Sequence, residues 1–407
     1  MVACDRAREE RMVERYFPME EYEARQRRVM QELKRRGHRL AVIWGRGGAC
    51  HERGQDVLYL ANYYSSASGQ EPDNRLLNGR AFNALILEEG EEPELLMDLP
   101  GPRRELLAVE RVSSHFDIVL AVADALGRRG AEGKVALVGS DFLPARYMRQ
   151  LEEATPRIAW QAEDDLVAVV RRAKSPRELA CYREGAAIVN RASARLMEGL
   201  VAGRSEAEAA SAAAEEIVRA GGNYLMIACS HGDTIEAWCR EPLTGYSTDP
   251  VAAGDMVRGW ILGPIWQGYY LDPGRTAVAG GRPSPEQRAL IEACGAIVER
   301  LIAAIRPGVR VMEVAQLGER LTREAGGGQD QAAEQWPLYG HNIGLFWEDP
   351  YISTKMCSDN DVFEETNVLG IETFLAKPGV GAAGFEQNLI VTKDGTEILT
   401  TNPMYLW

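Results

Sequence analysis

Ser175-Pro176-Arg177-Glu178 opens the second half of the chain, and Ser284-Pro285-Glu286-Gln287 repeats the pattern about 109 residues later. Each places Ser at a helix N-cap, Pro at the first helical position and Glu or Gln at the third. The side chains of the first and last can then satisfy each other's backbone N–H groups. The first start predicts helices over 175–203 and 205–221 and a β-ribbon over 224–280. The second predicts helices over 284–305 and 311–325 and a β-rich tail over 335–407. Two α-α-β halves make one pseudo-two-fold α+β domain, repeated in architecture and not in sequence. Between them, EAGGGQDQAAEQ at 324–335 reads as a solvated loop.

Upstream, apolar residues at Met19, Tyr22, Val29, Met30 and Leu33 form a helical stripe that ends at Gly37. LAVIWG at 40–45 is a short buried strand, and ALILE (84–88) and ELLMD (94–98) flank a hairpin turn. Strand VALVG at 135–139 leads into the helical PARYMRQLEEA. The alternation predicts a doubly wound α/β domain. The expected division is an α/β domain over 1–168 and an α+β domain over 169–407.

The 407 residues carry 46 Lys and Arg against 60 Asp and Glu, a net charge of −14. That excess works against a nucleic-acid or anionic-membrane partner, since both require a positive footprint. No apolar run reaches the roughly 18 residues of a membrane span. The charged MVACDRAREERMVERYF lacks the apolar core of a secretory signal. Seven scattered cysteines include no C-x-x-C pair. The expectation is a reduced, cytoplasmic protein.

Five histidines limit the chemistry. His341 stands in Tyr339-Gly340-His341-Asn342-Ile343-Gly344-Leu345, where glycines allow close backbone approach. Three acids interrupt apolar strand patterns: Asp272 in Tyr269-Tyr270-Leu271-Asp272-Pro273, Glu372 in Gly370-Ile371-Glu372-Thr373 and Glu386 in Gly384-Phe385-Glu386-Gln387. A buried, unpaired carboxylate costs several kcal/mol (about 3 or more), so such acids are paired, protonated or bound to a cation. Taken singly, each is also readable as a strand-end acid facing solvent, and His341 as a turn residue.

These motifs, in this order, resemble the pita-bread superfamily of methionine aminopeptidases, prolidases, aminopeptidase P and creatinase. The α/β domain in front resembles the creatinase and prolidase branch. Further matching runs are Val170-Arg171-Arg172-Ala173-Lys174-Ser175-Pro176-Arg177-Glu178, Gly254-Asp255 and the Gly268-Tyr269 to Arg275-Thr276 ribbon. The resemblance implies metal ligands at Asp272, His341, Glu372 and Glu386, with His341 and Glu372 as the catalytic pair. Three departures stand out. The family's remaining aspartate falls at Ile261, eleven residues before Asp272. Its second histidine falls at Glu348, seven residues after His341. Its proton-shuttling histidine has no counterpart other than a displaced His231.

Three carboxylates and one neutral imidazole suit one divalent cation, leaving a charge of about −1. Oxygen-rich ligands with one imidazole accept Mn, Fe, Co or Zn. A metal-free acid–base site at His341 and a glutamate is the other reading, with creatinase as the family's precedent. Loops after Leu345 are also similar to the dimethylsulfoniopropionate lyases of this fold. Candidate substrate contacts are Tyr63, Arg75, Arg80, His231 and Trp347. The arginines suit a substrate carboxylate reached from a partner subunit, and the tryptophans near the ligand motifs suit a cationic group. The resulting expectation is a homodimeric hydrolase cleaving a C–N bond in a small non-peptide molecule. The alternatives are a Xaa-Pro dipeptidase-like metallopeptidase, a lyase and a non-catalytic binding module.

Overall fold

A computed structural model describes residues 16–47, 54–65, 78–98, 103–232, 245–326 and 338–405. They divide into two compact units, 1–171 and 172–407. Arg75 and the greater part of the 324–335 loop lie outside the described residues.

The first unit runs α1 (Met19–Arg35), β1 (Leu40–Arg46), α2 (Gln55–Ala61), β2 (Phe82–Glu88), β3 (Glu94–Met97), β4 (Arg111–Ser114), α3 (Ile118–Arg128), β5 (Gly133–Val138), α4 (Ala145–Ala154), β6 (Ile158–Ala162) and α5 (Ala168–Arg171). Its sheet has the order β4-β3-β2-β1-β5-β6. The parallel winding expected from the alternation holds for β1, β5 and β6. β2 runs antiparallel to both β1 and β3, so the sheet is mixed. The β2–β3 pair is the hairpin expected from the sequence, since the tight 89–93 turn reverses the chain before any helix can cross over. Val42, Trp44, Ala84 and Ile86 pack against Ile118, Val122 and Leu126 of α3.

The second unit begins with α6 (Pro176–Val201) and α7 (Glu206–Arg219), then β7 (Met226–His231), β8 (Met256–Trp266), β9 (Tyr269–Leu271) and β10 (Gly274–Val278). The order then repeats as α8 (Pro285–Ala304), α9 (Val311–Glu324), β11 (Gly340–Ile343), β12 (Trp347–Tyr351), β13 (Val368–Lys377), β14 (Gly381–Thr392) and β15 (Gly395–Ile398). Both expected capping boxes form, at Ser175 with Glu178 and at Ser284 with Gln287. A third, Ser205 with Glu208, starts α7.

One sheet ordered β12-β11-β13-β14-β10-β8-β7 joins the two halves, with β15 on β14 and β9 on β8. The halves meet where β10 pairs with β14 at Gly274 and Glu386. Helices cover one face: Ile371, Phe385 and Leu389 pack with Ile291, Cys294 and Val298 of α8. A Cβ on Gly259 of β8 would contact Leu196 and Met197 of α6. Residues of opposite parity on these strands therefore turn to the other face.

Gly340 shows what this packing demands. Its φ is +139°, and a Cβ there would fall 2.1 Å from the carbonyl oxygen of Gly370 on the paired strand. Backbone cannot yield as a flexible side chain does. Gly340→Ala is expected to cost roughly 3 kcal/mol from strain and overpacking together. The measurement is a denaturant midpoint, and an unchanged midpoint would contradict the reading.

Candidate metal centre

Directly paired residues of an antiparallel sheet put their side chains on the same face. On the face away from the helices, one row crosses β8, β10, β14 and β13 as Trp260, Gly274, Glu386 and Glu372. Two residues along, a second row crosses β14, β13, β11 and β12 as Asn388, Gly370, His341 and Tyr351. Asp272, just ahead of β10, projects beside them. The local sequence explains the placement. Alternation carries Glu386 and Asn388 to this face while Phe385 and Leu389 go to the core, and it does the same for Gly370 and Glu372 around Ile371.

Asp272, His341 and Glu386 each offer one ligand atom within a group spanning at most 4.8 Å. His341 Nε2 stands 3.5 Å from Asp272 Oδ2 and 3.7 Å from Glu386 Oε1. Glu372 is Glu386's direct neighbour across the β13–β14 pair but lies outside that converging set. All four side chains are buried. A Cβ on Gly370 would lie 2.6 Å from Glu386 Oε1, 3.2 Å from Asp272 Oδ1 and 3.3 Å from His341 Cε1. The glycine leaves the cluster an open floor.

Neutral donors surround the acids. Trp347 Nε1 donates to Asp272 Oδ2 at 2.6 Å, and Asn388 Nδ2 to Asp272 Oδ1 at 2.7 Å. Trp260 Nε1 donates to Glu386 Oε2 at 3.0 Å. With Nδ1–H directed to the Asn342 carbonyl at 3.2 Å, His341 keeps its Nε2 lone pair toward the carboxylates. Burial pushes the His341 pKa down, against the opposing pull of Asp272, which favours the neutral ring a cation requires. Burial, then the charge of Asp272, lifts Glu372 to about 8. Burial, then the charges of Asp272 and Glu372, lifts Glu386 well above the usual carboxylate range. Glu386 Oε1 accepts no hydrogen bond from a described residue. A bare buried oxygen, an open floor and carboxyls that resist ionisation together fit a divalent cation.

The other sequence-based candidates fall as follows. Trp347 belongs to the cluster, its ring 5.1 Å from that of His341. His231 does not: it pairs with Val257, on the face of Gly259, and its Nδ1 meets Glu206 of α7 at 2.8 Å. Strand parity therefore sets it apart from the converging ligands. Tyr63 is buried in the first unit. Arg80, also there, bridges to the buried Asp98 at 3.0 Å. Glu348, where a second histidine was expected, pairs with Lys174 at 3.2 Å, both buried. Sequence reasoning missed Asn388, Gly370 and the role of Trp260. Asn388 and Gly370 each stand two residues from a recognised acid, and that period of two was the available signal.

Residues 180–393, more than half of the chain, match the model of metallopeptidase family M24. The chain is 29% identical over 370 residues to "Probable dipeptidase PepE" of Mycobacterium tuberculosis (strain ATCC 25618 / H37Rv), covering 88% of this chain and 91% of that one. The crystal structure of dipeptidase PepE from Mycobacterium ulcerans superposes with a TM-score of 0.72 at 26% identity, covering 96% of this chain and 98% of that one. Xaa-Pro dipeptidase from Bacillus anthracis superposes with a TM-score of 0.76 at 20% identity, covering 95% and 99%. These likenesses bear out the expected pita-bread architecture behind an α/β unit. No described helix is long and apolar enough to cross a membrane.

The raised carboxyls make a signed expectation for cation-free protein. Glu372 and Glu386 hold protons more tightly folded than unfolded. Their contribution is therefore full below the ordinary value of 4.5 and is lost as pH rises through about 8 for Glu372. Chelator-treated wild type should lose melting temperature across that window more steeply than Glu372→Gln. Equal slopes would contradict the placement of Glu372. Separately, Gly370→Ala should weaken Mn²⁺ binding on the order of 100-fold by calorimetry while the far-ultraviolet dichroism is kept.

Proposed function

The chain belongs to metallopeptidase family M24, and from that premise we propose that it is a hydrolase that cleaves dipeptides with one divalent cation at Asp272, His341 and Glu386. The single observation that carries the chemistry is the convergence of those three buried ligand atoms within 4.8 Å. The substrate class rests on the relatives, which are named as dipeptidases. The non-peptide substrate expected from the motif departures gives way on that account. The departures are real, but a relative named as a probable dipeptidase matches over nine-tenths of its length.

A divalent cation held there would polarise the scissile carbonyl and lower the pKa of an attacking water. The protein's own part follows from its donors. Trp347 and Asn388 fix the two oxygens of Asp272, so that carboxylate cannot rotate as charge shifts during the reaction. Glu372 stands beside the ligands without belonging to the converging set, with a carboxyl held near 8. A neighbouring cation would draw that value toward neutrality. In this reading Glu372 takes the proton from the attacking water and returns it to the departing amine. Tyr270, Phe346 and Trp347 pack together beside Asp272 and form an apolar wall that keeps bulk water from the reacting groups. A homodimer remains part of the proposal, since an acidic centre needs cationic help to hold a peptide carboxylate.

The test is a panel of dipeptides, with and without proline in second position, assayed after loading with Mn²⁺, Co²⁺ or Zn²⁺. Turnover should vanish with chelation and fall on the order of 10³-fold in His341→Ala and Glu372→Gln. Failure of the loaded protein to cleave any dipeptide would return the lyase and non-peptide readings to the front.

A further inference from the structure

The missing aspartate at position 261 is not a simple gap. Ile261 shares the parity of Gly259 and turns to the helix-covered face, so the β8 side chain beside the carboxylates is Trp260. Its indole is fully buried and stacks on Phe374, with centroids 5.6 Å apart and planes 25° apart. A Cβ on Gly274 would fall 2.0 Å from its ring, and one on Gly384 would fall 2.7 Å from Cη2. Two glycines on adjacent strands thus clear a slot in which the ring lies across the sheet. Its one polar atom, Nε1, points at Glu386 Oε2.

The converging ligands Asp272 and Glu386 own four carboxylate oxygens. Asn388 and Trp347 cap both of Asp272's, and Trp260 caps Oε2 of Glu386. Among the described residues, only Glu386 Oε1 is left without a donor. It faces His341 Nε2, on the side of the shared ion position. A second cation on the Oε2 flank of Glu386 would need both space and a further lone pair there. An indole supplies a hydrogen at that second position and has no lone pair to ligate with.

We propose that Trp260 fixes the metal count of this centre at one, by occupying with its indole N–H the flank of Glu386 that a second cation would need. The inference rests on the metallohydrolase reading above and adds a role for a residue outside the ligand set. Trp260 is a positioning residue: it orients Glu386 and excludes a second ion. It also lies close enough to the ion to report on it.

The experiment titrates chelator-treated, full-length protein with Mn²⁺ by calorimetry and with Co²⁺ by tryptophan fluorescence. Wild type should bind one equivalent, and Trp260→Asp, which puts a ligand in the slot, should bind two. Co²⁺ should quench wild-type emission with a one-equivalent end point, and Trp260→Phe should lose a measurable part of that quenching. The second variant keeps an aromatic ring in the slot, so the test survives if Trp260→Asp does not fold. Two equivalents in wild type, one equivalent in a folded Trp260→Asp, or quenching undiminished in Trp260→Phe would each overturn the inference. Absence of any binding by wild type would instead overturn the metallohydrolase reading beneath it.

Discussion

Three carboxyl groups share one buried patch of sheet, and that crowding governs the second unit. Asp272, Glu372 and Glu386 cannot all be ionised there without compensation, because like charges in a poorly solvated site repel strongly. The protein's own compensation is partial and neutral. Two indole N–H groups and one carboxamide donate to the acids, and no Lys or Arg among the described hydrogen bonds and ion pairs does so. The fixed cations nearby are otherwise engaged. Arg275 donates to backbone carbonyls including that of Glu386, and Lys174 pairs with Glu348. Neutral donors hold the geometry while leaving the charge unbalanced, which is the condition under which a divalent ion binds well.

That design is expensive in side-chain volume, and glycine absorbs the expense. Gly370 opens the floor under the ligands, and Gly340 brings β11 close to β13. Gly344 leaves space for Glu348, and Gly274 and Gly384 make the slot for Trp260. In a sheet, glycine weakens the strand it occupies. Here the weakness is concentrated on the strands that carry the ligands. The helix-covered face, built from Ile371, Phe385, Leu389 and the α8 side chains, supplies the burial that offsets it.

Much of this was legible before any coordinates. The capping boxes located both helix pairs to within a residue or two, because the signal is local chemistry. The acids announced themselves because a charged residue inside an apolar alternation is costly, and the family pattern put them in order. Strand parity was harder. His231 read as a candidate substrate contact in sequence, yet its register with Val257 turns it to the face of Gly259, and its ring meets Glu206 of α7. Trp260 and Ile261 are adjacent in the chain and opposite in space, so the same missing aspartate reads as a gap in sequence and as a replacement in structure. In the first sheet the β2–β3 hairpin was legible from its short turn, whereas the antiparallel pairing of β2 with β1 joins strands far apart in sequence and left no local signal.

The tail shows how far the site's support extends. Thr400 Oγ1 accepts from the Asn388 N–H, and the Asn388 side chain both caps Asp272 Oδ1 and accepts from the Asp272 N–H. Arg275 reaches the carbonyls of Thr400, Asn402 and Pro403 with the same guanidinium that holds the Glu386 carbonyl. The segment 400–403 is therefore tied to two ligands through two residues, one from each half of the pseudo-two-fold domain. The ladder between β10 and β14 is thin at this point, with Gly274 and Glu386 its one direct pair. The tail and Arg275 supply across that seam the fixation that a longer ladder would otherwise provide. Asp272 comes from one half and His341, Glu372 and Glu386 from the other. A site divided in this way can hold sub-ångström geometry only if its seam is stiff, and the buried, multiply bonded Arg275 is what stiffens it.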